Sequence, residues 1–385
     1  MKSAKTPWNK LSPVLMSFIV MGFVDIIGVS VGYIKQDFEL TNFIVQFLPM
    51  MVMLWFFVLS VPAGILQDKY GKRNMMNIGI AMQAIGLGLP FIYYSFAMMF
   101  GAFILLGIGN TIIQVAANPL LQDVSPPEKL ASYLSTSQFI KAIISFSGPL
   151  ITTWFATRFG DWKLVFMVYG FTSIFTAIWL SATPIKEFKT AEEPASFASC
   201  FGLLSNNFVA LMALSIFLIV GVEVAINTNI AIILVSRYSL TLEKAAIGIS
   251  IFFAGETISR LIGGIILNWI LPRLALLLVS ILSLFGVVGI FLAPGSTLAF
   301  VFIFLTGLGT GIMFPIIFSF SLNKMPEHAN EISGLLIMAI SGGAFIPLLM
   351  GFVITVFGPL IGISVIGICL LYIFWVSFYA YKNNL

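Results

Sequence analysis

Long apolar blocks alternate with short polar or glycine- and proline-containing breaks along the whole chain. A helix that crosses the hydrocarbon core of a bilayer needs about 20 predominantly apolar residues. Twelve stretches have that character, near 11–33, 43–66, 74–93, 97–121, 131–157, 162–182, 205–235, 242–268, 271–293, 297–322, 332–357 and 359–381. The pattern predicts an all-α integral membrane protein with twelve transmembrane helices and little material for a soluble domain. The first stretch is long and lacks a small-residue cleavage site, so it reads as a span rather than as a removed signal peptide.

Composition agrees: 59% of the 385 residues are hydrophobic and only 9% charged, where a soluble domain carries roughly a quarter charged residues. The formal charge is +4, but this does not point to nucleic acid, because the basic residues sort by side. Twelve of them, Lys69, Lys72 and Arg73 included, share the side of the two termini, against five on the other (Lys35, Arg158, Lys163, Arg237 and Lys244). That bias predicts cytoplasmic termini in a bacterial-type inner membrane. Cys200 and Cys369 are far apart and His328 is the one histidine, so no Cys/His metal spacing exists and neither metal nor cofactor is implied.

The longest polar stretch, Pro184 to Pro194, divides the spans six and six. It predicts an N-terminal six-helix bundle over 1–183, a cytoplasmic linker over 184–204 and a C-terminal six-helix bundle over 205–385. The halves echo each other at an offset of about 200 residues. Gly64-Ile65-Leu66-Gln67-Asp68 matches Gly264-Ile265-Ile266-Leu267-Asn268, and Gly107-Ile108-Gly109 matches Gly307-Leu308-Gly309. Pro149 and Gly160 recur as Pro347 and Gly358, and Asp25 has a counterpart in Glu223. Matches in register argue for duplicated, pseudo-symmetric bundles with a site between them near the bilayer midplane.

Five ionisable residues interrupt the apolar spans: Asp25, Lys141, Glu223, Glu256 and Arg260. Charges at such depth are costly and usually face a water-filled cavity or one another. The fourth span carries Asn110, Gln114 and Asn118 at i, i+4 and i+8, one stripe on one helix face. Amides both donate and accept, which suits sugar hydroxyls; interhelical glue is the plainer reading. The fifth span carries Gln138 and Lys141. A desolvated lysine loses its charge unless paired, and Asp25 is the expected partner. The seventh span has Glu223 and Asn227 at i, i+4. The eighth has Glu256 and Arg260 at the same spacing, a pair able to neutralise itself along one helix.

Between the second and third spans, Gly64-Ile-Leu-Gln-Asp68-Lys69-Tyr-Gly71-Lys72-Arg73 resembles the signature loop of the major facilitator superfamily, departing from it only at Gln67. The resemblance implies the major facilitator fold, with Gly64, Asp68, Lys69, Gly71, Lys72 and Arg73 as a cytoplasmic latch between the halves. The second-half copy, with Asn268 for the aspartate, reads as degenerate. A narrower likeness follows. Gly107-x-Gly109 leading to Gln114-Val-Ala-Ala-Asn118-Pro119, with Gln138 on the next span, resembles the fucose–proton symporter family. Val220 to Val224, Gly307 to Pro315 and Ser333 to Gly343 are similar to its glucose/galactose transporter branch. There Asp25 falls on an aspartate linked to proton coupling and Gln138 on a substrate-binding glutamine. Gln114 stands where the family has a glutamate and Lys141 where it has an asparagine, so one acid is lost and one base gained.

The resulting expectation is a secondary active transporter, not an enzyme, that takes up a monosaccharide or related polar solute with protons by alternating access, each chain working as a monomer in the lipid bilayer. Asp25, Lys141 and Glu223 are the expected proton-coupling residues. Asn110, Gln114, Asn118, Gln138, Lys141, Glu223, Asn227, Glu256 and Arg260 are the expected substrate-binding set. The alternatives are an acidic sugar or other organic anion bound through Lys141 and Arg260, sodium coupling, drug efflux, and a membrane receptor that binds without transporting.

Overall fold

A computed structural model describes residues 8–40, 44, 47–188, 196–240 and 242–382. The middle of the expected linker, 189–195, lies outside the described residues. Among those described, 12 helical stretches are long and apolar enough to cross a membrane, each within a few residues of the sequence expectation.

The chain enters through α1 (Trp8–Gly22), a 3₁₀ turn (Phe23–Ile26) and α2 (Ile27–Asp37), which together make the first span. Next come α3 (Phe47–Tyr70), α4 (Lys72–Ile92), α5 (Phe96–Val124), α6 (Leu130–Phe159) and α7 (Leu164–Ala182). A short helix, α8 (Phe197–Gly202), precedes α9 (Asn207–Tyr238), α10 (Leu242–Ile266) and α11 (Pro272–Leu292). The tenth span is broken into α12 (Ser296–Thr310) and α13 (Met313–Lys324). The eleventh is broken by a 3₁₀ turn between α14 (Ala329–Met338) and α15 (Gly342–Phe357), and α16 (Pro359–Lys382) closes the fold. In hydrocarbon, irregular backbone is tolerated only where protein or an aqueous cavity covers it. Each break adjoins a glycine, Gly22, Gly311 or Gly342, and Asp25 sits in the first of them.

Contacts group the chain into two compact units. One comprises Met1–Pro127, Ile140–Gly202 and Met325–Met338; the other comprises Glu128–Phe139, Leu203–Lys324 and Ala339–Leu385. Within the first, Gly107 meets Val52, and a Cβ on Gly109 would lie 2.5 Å from the Gly79 carbonyl and 3.0 Å from the Gln83 nitrogen. Within the second, Gly307 meets Phe252 and Gly309 meets the Ser283 nitrogen, where a Cβ would lie 2.6 Å away. The positions of Val52 and Gln83 recur 200 residues later as Phe252 and Ser283, so the glycine pairs perform one packing task twice: they let a helix backbone touch its neighbours. Gly109→Ala should therefore cost about 1–3 kcal/mol through overpacking, read as a lower melting temperature in detergent. Gly88→Ala, where a Cβ meets nothing within 4 Å, should leave the melting temperature unchanged; equal effects would refute the packing account.

The signature motif is not a loop. Its apolar Ile65 and Leu66 carry α3 on to Tyr70, and only Gly71, at φ +83°, breaks the helix before α4. That left-handed conformation is cheap for glycine alone. At the opposite end of the first unit, Asp37 accepts hydrogen bonds from the Tyr94 hydroxyl and from Trp162 Nε1, which lies 3.0 Å away. Burial, and then the Asp37 carboxylate beside it, hold the Tyr94 phenol well above its ordinary range.

Candidate functional site

In the first unit the site is built around Asp25. The Ser145 hydroxyl donates to its carboxylate and also lies 3.0 Å from the Lys141 carbonyl, one turn back. The expected Asp25–Lys141 ion pair is absent, and Lys141 makes no ion pair among the described residues. The reason is local. Gly22 brings the first span backbone-close to α6, so that a Cβ there would fall 2.9 Å from Ile144 and 3.1 Å from the Lys141 carbonyl. At this close approach it is the short Ser145 hydroxyl, one turn on from Lys141, that meets the carboxylate.

Tyr169, 4% exposed, completes this region. Its ring stacks on Phe23 at 3.9 Å, and its hydroxyl has no hydrogen-bond partner and sits over Gly148. Sequence reasoning missed Tyr169, because an aromatic in an apolar helix reads as core; the polar hydroxyl at mid-span was the available signal. On α5, Asn110, Gln114 and Asn118 are all buried, as one stripe. Asn118 donates to the Gln114 carbonyl at 3.3 Å, a back-bond of the structural kind. Asn110 is different: neither its amide oxygen nor its nitrogen has a partner. Buried amides are normally satisfied, and in Asn110 the acceptor and both donor positions are unfilled.

In the second unit Arg260 lies between two carboxylates. Its Nη2 is 3.6 Å from Glu223 Oε1 and 3.6 Å from Glu256 Oε2. Glu256 and Arg260 thus do not simply satisfy each other; α9 supplies Glu223 to the same cation. Arg260 Nε donates to the Gly311 carbonyl at 3.4 Å, at the break between α12 and α13. Asn227, one turn from Glu223, is exposed, and Gln138 is half-buried in the same unit. Neither is drawn into the Arg260 cluster.

The latch residues make two sets of bonds in the first unit. Asp68 accepts from Asn330 Nδ2 at 2.6 Å, beside Gly64, whose missing Cβ would fall 2.7 Å from the Asn330 carbonyl. Lys69 lies over the Tyr70 ring at 5.2 Å. Lys72 is not a solvated loop lysine: its ammonium contacts both Asp123 oxygens at 2.9 Å. Glu187 caps the start of α4, accepting from the Lys72 and Arg73 backbone nitrogens at 2.6 and 3.1 Å, where a helix N-terminus favours a carboxylate. Arg73 donates to the Thr183 carbonyl at 2.7 Å. Burial, with the Glu331 and Asp68 carboxylates nearby, pushes the Cys200 thiol up to about 12, which keeps it an inert thiol. In the second unit Asn268 donates to Ser132 Oγ at 3.1 Å. Asn268 and Ser132 stand where Asp68 and Asn330 stand in the other repeat, so the copy that reads as degenerate keeps the bond with a neutral donor.

Twelve apolar helices, broken at three places and carrying carboxylates, amides and a guanidinium at depth, are the make-up of a polytopic membrane transporter. The chain belongs to the Major Facilitator Superfamily, whose family model matches residues 14–347; it is a family of transporters, not of enzymes. The chain is 27% identical to a glucose/galactose transporter of Brucella abortus over 94% of its length and 92% of the relative's. It is 25% identical to a putative glucose/galactose transporter of Helicobacter pylori over 95% and 94%. Its fold matches the E. coli fucose:proton symporter FucP with a TM-score of 0.83, at 16% identity, over 96% of this chain and 98% of that one.

Proposed function

We propose that this transporter takes up a monosaccharide together with protons, by alternating access of two six-helix halves, 1–183 and 205–385, joined by a cytoplasmic linker. It works as a monomer in a bacterial inner membrane with both termini in the cytoplasm. The names of its relatives, glucose/galactose transporters over nearly the whole chain, support the sugar. The observation that carries the reading is the pairing of an acid with an unfilled amide inside one unit: Asp25 held by Ser145 at a helix break, and Asn110 buried with both amide atoms unpartnered. An acid of this kind can exchange a proton, and the amide can take a sugar hydroxyl. Coupling then requires only that proton and sugar favour the same conformational state.

The test is counterflow and pH-gradient-driven uptake of labelled D-galactose, D-glucose and L-fucose in proteoliposomes. Saturable exchange of at least one, with concentration only when the outside is acidic, is the expected result; exchange of none of the three sinks the sugar reading. A second reading has one observation in its favour. Lys141 has no ion pair among the described residues, which leaves its ammonium for an acidic sugar or another organic anion. Inhibition of uptake by uronates and not by neutral hexoses selects that reading, and Lys141→Met then weakens the inhibition.

A further inference from the structure

We propose that Glu223, Glu256 and Arg260 form a second proton-binding site, in addition to Asp25, in which the two glutamates share one proton. The proposal rests on the proton-coupled reading and names a second site that senses the same ion, while the transported proton stays with Asp25.

The argument begins with Glu256. Its side chain is 1% exposed and neither carboxylate oxygen has a hydrogen-bond partner. A buried carboxylate in that condition needs a cation or a proton. The groups that face it are Arg260 on its own helix, Glu223 on α9 and the Thr310 hydroxyl on α12. Arg260 stands equally far from both glutamates, at 3.6 Å. That is well beyond the ~2.7–2.9 Å of a charge-assisted hydrogen bond, so the guanidinium closes fully on neither.

Charge counting gives the rest. Two carboxylates and one guanidinium leave one negative charge in excess. Arginine does not give up its proton in proteins, so the excess is removed by protonating a carboxylate. Because both acids see the same cation, the proton belongs to the pair rather than to either residue. It arrives from water at Glu223, whose side chain is 18% exposed, and it leaves by the same route. With the proton bound, Arg260 is matched by one remaining carboxylate. With the proton gone, it must balance two. The same guanidinium holds the Gly311 carbonyl, and a Cβ on Gly311 would lie 2.6 Å from the Glu256 carbonyl. The position of Arg260 is thereby tied to the break in the tenth span, which gives a change in protonation a path to the backbone.

The test is pH-difference infrared spectroscopy of the purified full-length protein in lipid, following the carbonyl stretch of a protonated, water-excluded carboxylic acid. The wild type should show such a band. Glu256→Gln should lose the share of the band that belongs to this pair, because Glu223 and Arg260 then balance, while any share of Asp25 or of the buried Asp123 remains. Glu223→Gln should lose the same share for the same reason, and it serves as the second variant if Glu256→Gln does not fold. Arg260→Met, with two acids and no cation, should keep or enlarge the band, and Asp25→Asn should keep it. An undiminished band in either glutamate variant, or its complete loss in Arg260→Met or Asp25→Asn, overturns the proposal. A purely structural triad would not produce this pattern. No sugar is present in the measurement, so the result stands apart from success or failure of the sugar reading.

Discussion

Asp25→Asn should leave a protein that exchanges sugar across the membrane but no longer concentrates it. Asparagine is close to isosteric and its amide can still meet the Ser145 hydroxyl that holds Asp25, so the helix break and its packing survive. What is lost is a group able to take up and release a proton. A carrier that moves one proton with each sugar gains about 1.4 kcal/mol, a tenfold accumulation, from each unit of pH difference. The variant should therefore equilibrate to an inside-to-outside ratio of about one under a gradient that drives the wild type about tenfold or more uphill, while counterflow at equal pH continues. Uphill accumulation by the variant at the wild-type level would remove Asp25 from the coupling mechanism.

The membrane architecture was legible because it needs only length and polarity. A run of apolar residues in lipid has no alternative to a helix, and the twelve runs recur as the 12 candidate spans. The fine structure of the spans was less legible. The motif between the second and third spans reads as a loop from its turn-forming glycines and charges, yet backbone hydrogen bonding in α3 continues through Asp68 and Lys69 to Tyr70. Three spans that look continuous in composition are broken at Phe23–Ile26, after Thr310 and at Ala339–Ser341. Local sequence supplies the glycines, but whether a glycine breaks a helix or lets another pass is decided by the neighbour.

The identity of the polar residues was likewise readable, and their partners were not. Asp25, Glu223, Glu256 and Arg260 announce themselves by interrupting apolar spans. The i, i+4 spacing of Glu256 and Arg260 even gives one contact of the cluster. Glu223 lies on another helix, and its distance to Arg260 depends on how α9 and α10 pack. The same holds for Asp25: choosing between Lys141 and Ser145, one turn apart on α6, requires knowing that Gly22 closes the gap to the Lys141 carbonyl. Asp68 and Asn330 are 262 positions apart, and nothing local pairs them.

Lys72 and Asp123 show how much such a hidden partner can be worth. Both side chains are buried, at 3% and 2% exposure, with the ammonium 2.9 Å from the carboxylate. Removing one member of a buried ion pair leaves the other uncompensated and costs about 3–5 kcal/mol, far more than a surface pair, whose contribution is roughly 0–1 kcal/mol. Lys72→Met should lower the melting temperature of the detergent-solubilised protein by several degrees. Lys69→Met, at an exposed position near the end of α3, should shift it little. The double variant Lys72→Met/Asp123→Leu should recover most of the loss, since replacing a whole buried pair with apolar side chains is often neutral or stabilising by about 1–4 kcal/mol. The Glu187 cap on α4 is unaffected in all of them, because it is made to the backbone nitrogens of Lys72 and Arg73. A double variant as unstable as Lys72→Met alone would mean that the lysine acts through something other than Asp123.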